Sequence, residues 1–176
     1  MIADEGGIQA PTRLTAKAAN AEASTGVVVS FDARWFRPIS EGRISLVLRK
    51  RVPQSALPKW MYMYINSPAS VLLARAPIKK ILTLPLADAL KRHKELDLAN
   101  DEIGAYFRGS AAVGAYELGP LEIASEPLQL SWLRHNMTFH PPQSFFFLAQ
   151  TAQAVIDKHG GFVRLGPAIK SREITK

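Results

Sequence analysis

The chain has 176 residues, with 22 Lys+Arg against 15 Asp+Glu and a formal net charge of +7, the size of one domain plus some tail. Hydrophobic residues make up 47% and charged residues 21%, which excludes wholesale disorder. There is no cysteine, which excludes a disulfide scaffold, a zinc ribbon and a thiol nucleophile, while a sequence pI near 9.9 favours a polyanionic partner.

Residues 1–26 hold no aromatic residue and few large aliphatics. Such a segment buries too little apolar surface to offset its ordering entropy, so it reads as a flexible N-terminal tail. The folded domain is expected over residues 27–158 and a basic C-terminal tail over 159–176. Val27, Val28, Val29 and Phe31 form a short β-branched run that predicts a buried strand. Asp32 then opens a helical turn carrying Trp35, Phe36 and Ile39, closed by Glu41 and Gly42. Ile44 to Leu48 predicts a second strand, running into Arg49-Lys50-Arg51, and the two prolines between Val52 and Pro58 mark a loop.

Trp60 to Ile65 predicts a third strand, stopped at Asn66-Ser67-Pro68. Val71 to Leu84, interrupted by Pro77, reads as two strands or as one bent strand at a sheet edge. Leu86 to Leu96 has apolar residues at helical spacing, with Asp88 early and Lys91, Arg92 and Lys94 late, as the helix dipole favours. A second helix is expected over Asp101 to Phe107 with Asn100 as its N-cap. Strands are expected over Ala111 to Leu118 and Leu121 to Ala124, around Gly119-Pro120. Leu130 to Arg134 is ambiguous between strand and helix. Phe145 to Lys158 predicts one helix ended by Gly160-Gly161. The elements do not alternate as βαβ units, so the expected fold class is α+β, a small, mostly antiparallel β-barrel with flanking helices.

The basic residues are concentrated. Arg34, Arg37, Arg43, Arg49, Lys50, Arg51 and Lys59 face one acid, Glu41, over 26 positions. Arginine dominates there, as suits bidentate phosphate contacts, and Trp35, Phe36, Trp60, Tyr62 and Tyr64 are interleaved with it. Cations for a backbone and aromatic faces for unstacked bases are what single strands and RNA require. Most of these aromatics also read as core, and the basic run as a solvated face. Arg34, Arg43, Arg49, Lys50 and Arg51 are the candidate phosphate contacts. Ser30, Tyr64, Asn66 and Ser67, at strand ends, are the candidates for sugar or base, although Asn66 and Ser67 also read as turn caps.

Other chemistry has weaker support. His93, His135, His140 and His159 are scattered without ligand spacing, so no metal is expected, nor any cofactor. Asp101-Glu102 and Glu117/Glu122 are the available carboxylate pairs, and the first sits where a helix start favours acids anyway. No apolar run reaches the roughly 20 residues that span a bilayer, and no secretory pattern opens the chain. The expectation is a cytoplasmic protein without membrane association.

The order of segments resembles the ASCH family of the PUA-like superfamily, in particular its regulator members with a PUA-like fold. The resemblance is carried by SFDARWFRPISEGRISLVLRKR, YMYINSPAS, YFRGSAAVGAYELG, EPLQL and HPPQSFFFL. Within these, Ser30, Gly42, Arg49 and Lys50 match the strand-helix element and the basic pair that follows it. Tyr64, Ser67 and Pro68 match a Tyr-x-x-Ser-Pro motif, and Tyr106, Phe107 and Gly109 match an aromatic-Gly turn. The resemblance implies a PUA-like barrel with a nucleic-acid cleft, RNA before DNA, in a regulatory role in transcription or translation. It departs from the family at Ile44, where a Lys is usual, at Val47, where an acid is usual, and at Asp32-Ala33, where a basic residue and a proline are usual. Amidohydrolases of the superfamily use that Lys, so their chemistry does not carry over directly. An enzymatic alternative remains: a metal-independent ribonuclease, with Tyr64 or Glu117 beside Arg49, or a nucleoside amidohydrolase. The third alternative is a protein-interaction module meeting an acidic partner.

Overall fold

The longest strand among the described residues, over Val71–Pro85, lies inside the sheet with neighbours on both sides. In the computed structural model, which describes residues 26–54 and 57–165, β1 (Gly26–Phe31) leads through a 3-10 turn (Ala33–Trp35) and α1 (Phe36–Ser40) to β2 (Leu46–Arg49) and β3 (Trp60–Ile65). β4 (Val71–Pro85) follows, then three short helices, α2 (Leu86–Lys91), α3 (His93–Leu96) and α4 (Asn100–Tyr106). β5 (Ala112–Leu118), β6 (Glu122–Gln129), α5 (Leu130–Asn136), β7 (Phe145–Leu148), α6 (Gln150–Gly160) and β8 (Val163–Arg164) complete it.

The eight strands form one sheet, ordered β2-β5-β4-β3-β1-β7, with β6 on β4 and β8 on β6. It does not close into the expected barrel. β4, expected as two strands or at an edge, is one strand shared by three neighbours: its first half pairs β3 and β6, its second half β5. Pro77 lies at that handover. Its missing N–H falls where the partner changes, and its carbonyl accepts from Gly119 N–H at 2.7 Å. A Cβ on Gly119 would come within 2.6 Å of Pro77 Cγ, so glycine is needed for this approach.

The continuous apolar runs follow from burial on both strand faces. Val27, Val29 and Phe31 of β1, Val47 of β2, and Met61, Met63 and Ile65 of β3 share one cluster. The alternate residues Val28, Tyr62 and Tyr64 pack under α5 and α6, with Leu133, Phe139 and Ile156. Leu46 and Leu48 join a third cluster with Ala89, Leu96, Ile103 and Phe107 beneath α2, α3 and α4. One ion-pair network holds the far side. The Arg75 guanidinium carbon lies 4.6 Å from the Trp60 ring centroid and 4.8 Å from that of Phe162. Arg75 pairs with Glu122 at 2.7 Å and Asp157 at 2.8 Å, and Asp157 also accepts from the Tyr62 hydroxyl at 2.6 Å.

Several expectations change in detail. The single helix expected over Phe145 to Lys158 is a strand and then a helix: three consecutive phenylalanines pair antiparallel with β1, and helix begins only at Gln150. β-propensity together with an open strand edge outweighs helical spacing there. The helix expected over Leu86 to Leu96 breaks at Arg92, which turns to reach Glu95 and Glu117 at 2.6 and 2.7 Å. Ala99, not Asn100, is the N-cap of α4, and its N–H donates to Glu102 Oε2 at 3.2 Å. The ambiguous Leu130 segment is helical, and β6 runs five residues beyond Ala124 to Gln129. Residues 159–165 belong to the fold and not to a tail, because they finish α6 and add β8 to β6. The expected N-terminal tail lies outside the described residues except for Gly26, as does the rest of the expected C-terminal one. Among the described residues no helix is long and apolar enough to cross a membrane.

Candidate nucleic-acid interface

Among the described residues, two strand edges that lack a ladder partner face each other. β2 is one end of the strand order, and β7 pairs β1 only from Gly26 to Val29, so Ser30 and Phe31 run on beyond it. A cleft of about 660 Å³ lies between these edges, walled by α4 on one side and residues 141–144 on another. The cleft therefore occupies the gap in the sheet.

Arg49, at the end of β2, is its centre. Its Nη1 donates to the Leu48 carbonyl oxygen at 2.9 Å and its Nη2 to the Ser30 carbonyl oxygen at 2.8 Å, the latter across the gap. The guanidinium carbon sits 4.6 Å from the Phe31 ring centroid, a cation–π contact. Burial lowers the Arg49 pKa, while Tyr106, Tyr116 and Asp32 oppose that shift. An arginine keeps its charge through such a shift because its ordinary value is so high.

The other cations line the rim. Lys50 Nζ lies 5.3 Å from the ring centroid of the exposed Tyr106, and Arg51 is exposed beside it. Arg34, on the 3-10 turn, pairs with Glu102 Oε1 of α4 at 2.8 Å, across the cleft, and lies 5.6 Å from the Trp35 ring. Asn66 is held by its N–H donating to the Phe31 carbonyl oxygen at 2.8 Å, and it lines the cleft. The Ser30 Oγ is buried with no hydrogen-bond partner among the described residues, and so is the Tyr116 hydroxyl. Ile44 and Val47, where the resembled family carries Lys and an acid, give this cleft an apolar floor.

The structure brings together Ser30, Arg34, Arg49, Lys50, Arg51 and Asn66 of the residues singled out from sequence. Three are placed elsewhere. Arg43 turns away to pair with Glu41 at 2.7 Å and with Asp97. Tyr64 is 1% exposed and packs its ring 5.4 Å from that of Phe139, because β3 alternation sends it under α5. Ser67 is exposed, preceding a cis bond to Pro68, and lies outside the cleft. The nuclease set of Tyr64 or Glu117 beside Arg49 is not assembled, since Glu117 pairs with Arg92 at 2.7 Å. Trp60 stacks on Arg75 far from the cleft, whereas Trp35 does line it.

Asp32, Glu102, Tyr106, Gln143 and Ser144 also line the cleft. Tyr106 stood in the aromatic-Gly motif and Glu102 in a carboxylate pair, so both carried some signal. Gln143 and Ser144 lay in the HPPQSFFFL segment of the resemblance without being singled out as site residues, and the pairing of β7 with β1 brings them in.

The architecture has solved counterparts. It superposes on the ASCH protein of Zymomonas mobilis with a TM-score of 0.70 at 22% identity, covering 76% of this chain and 94% of that one. The fold is that of an ASCH domain. A serine-to-alanine variant of the same Zymomonas mobilis protein gives 0.71 at 21% identity, over 77% and 96% of the two chains. The N-terminal domain of McrB from Staphylothermus marinus matches at 0.56 and 14% identity, over 77% and 94%. No protein-family model matches the chain, and no curated protein matches it.

Proposed function

We propose that this chain is an ASCH-type nucleic-acid-binding module, taking RNA in preference to DNA, with a regulatory role in transcription or translation. The observation that carries the reading is the cleft at the open sheet edge. Four cations, Arg34, Arg49, Lys50 and Arg51, surround it, and the aromatic rings of Phe31, Trp35 and Tyr106 lie beside three of them. Phosphate takes charge-assisted hydrogen bonds from the cations and unstacked bases take the ring faces. Asn66 supplies an amide within reach of sugar or base.

The test is fluorescence anisotropy with labelled single-stranded RNA, single-stranded DNA and duplex DNA at about 50 and about 200 mM salt. Lys50→Ala/Arg51→Ala is the variant, because both side chains are exposed and their loss leaves the fold intact. Binding that weakens with salt and falls in the variant supports the reading. Shortening of the RNA on a gel turns it into a ribonuclease. Absence of binding to every probe overturns it and leaves the protein-interaction module, which a nuclease-treated pull-down identifies.

A further inference from the structure

Taking the cleft as a nucleic-acid site, as proposed above, we infer that a bound single strand runs on over the wall of residues 141–144 to a second contact surface. That surface is formed by the last turns of α5 and α6, where Arg134 and Lys158 meet phosphates and the rings of Trp132 and His159 stack an unpaired base.

The chain between Glu126 and Asp157 contains no acidic residue, and it holds Trp132, Arg134, His135 and His140. With His159 just beyond, three of the four histidines lie in this region. The last turn of α5 carries Arg134 and His135, and that of α6 carries Lys158 and His159. Tertiary structure joins the two turns, for the Trp132 ring centroid lies 4.8 Å from that of His159. All four basic side chains are exposed, and Trp132 is half-buried. Asp157, the one acid of α6, is engaged by Arg75 at 2.8 Å and by the Tyr62 hydroxyl at 2.6 Å. Neither Arg134 nor Lys158 has an acid partner among the described residues. A last turn favours cations in any helix. Two such turns joined by a ring pair, with the only acid of either helix already paired, make a surface for an anion that carries flat apolar groups.

One short link joins this surface to the cleft. Met137 to His140 connects α5 to the cleft wall, and Phe139 anchors the link, its ring 5.4 Å from that of Tyr64 and 5.6 Å from that of Phe146. His140 is exposed, and Pro141 and Pro142 after it line the cleft. The five residues from Asn136 to Pro141 reach at most about 18 Å, so nucleotides of one strand can touch both places. Cations beside aromatic faces are how single strands are held without sequence preference. The continuity with the cleft favours such a strand over an acidic protein segment, which the cations alone would suit.

The test is anisotropy of labelled oligouridine of about 4 and about 12 nucleotides, the shorter to occupy the cleft alone. The proteins are the parent chain, Arg134→Ala/Lys158→Ala and His159→Ala. All three side chains are exposed, so the variants fold as the parent does. Each variant should bind the longer strand about fivefold or more weakly and the shorter one within about twofold of the parent. The double variant should also lower the salt slope for the longer strand by about 1.4, the share of two phosphates. Unchanged binding of the longer strand by both variants overturns the inference and leaves the cleft as the whole site. Equal loss for both lengths overturns it too, since the effect then lies in the cleft. If the parent binds neither length, the nucleic-acid reading falls together with the inference, leaving an acidic protein as the partner of this face.

Discussion

Arg49 donates its Nη2 to the Ser30 carbonyl oxygen at 2.8 Å across the gap between β2 and β1, which do not pair among the described residues. A side chain here does what a ladder does elsewhere, and it does so with a cation that also faces the cleft. The two roles separate by substitution. Arg49→Lys keeps the charge but loses the planar fork that spans the Leu48 and Ser30 carbonyls. It should lose about 1.5–3 kcal/mol of stability in urea unfolding, while the salt dependence of nucleic-acid binding is retained. Arg49→Ala should lose both. A lysine variant as stable as the parent would show that the bond across the gap contributes nothing.

Glu102 occupies a cation that the cleft would otherwise offer. Its Oε1 lies 2.8 Å from Arg34 Nη1 while its Oε2 accepts from the Ala99 N–H at 3.2 Å. Glu102→Gln keeps the acceptor for Ala99 and removes the competing charge. Because both side chains are largely exposed, at 57% and 43%, stability should change by less than about 1 kcal/mol. Affinity for a polyanion should rise several-fold, and adding Arg34→Ala should cancel the gain. No gain in anisotropy titrations would mean that Arg34 does not meet phosphate.

Two of the four tyrosines are held neutral. Burial, followed by the Asp157 carboxylate, pushes the Tyr62 hydroxyl well above its ordinary pKa of 10.0, and burial does the same at Tyr116. The folded chain thus keeps protons that the unfolded chain releases. Their contribution to stability is complete below pH of about 10 and declines as pH rises beyond it. In an alkaline absorbance titration, the phenolate signal of Tyr62 and Tyr116 should arrive with loss of the near-ultraviolet circular dichroism, not before it. If every tyrosine titrated while the fold persisted, the burial of these two hydroxyls would be refuted.

Gly114 stands opposite Arg49 in the β2–β5 ladder. A Cβ there would run into both methyl groups of Val52, 2.9 Å from Cγ2. Val52 is buried directly after the basic triplet, so its seat sets the direction in which Lys50 and Arg51 leave the sheet. Gly114→Ala should cost about 1–3 kcal/mol and weaken binding as well. With Val52→Ala in the same chain the two losses should add to less than their sum in denaturant unfolding. Strict additivity would place the strain elsewhere.

The strands were the more legible part of the fold. β1, β2 and β3 are runs of β-branched, aromatic and apolar residues bounded by turn residues, and they lie within two residues of the expected positions. The phenylalanines of β7 were not legible, since an aromatic run before a helix has the same pattern as the helix itself. They become a strand because β1 offers an edge, and that edge exists only after the sheet has formed. The place of β4 at the centre was likewise hidden, for Pro77 in a strand ordinarily marks an edge.

The site divides in the same way. Charge is a local property, so the sequence by itself determined that Arg34 to Lys59 would be a basic segment. It also determined that no thiol chemistry is available, because the chain holds no cysteine. Which of the basic residues share a cleft was decided by tertiary structure. Arg43 is six positions before Arg49, yet it pairs with Asp97 on another part of the surface. Ser30, Arg49, Glu102 and Ser144 are far apart in the chain and line one cleft. That cleft exists because the sheet stops short of closing, and closure depends on strand order and register across the whole chain, which no single segment encodes.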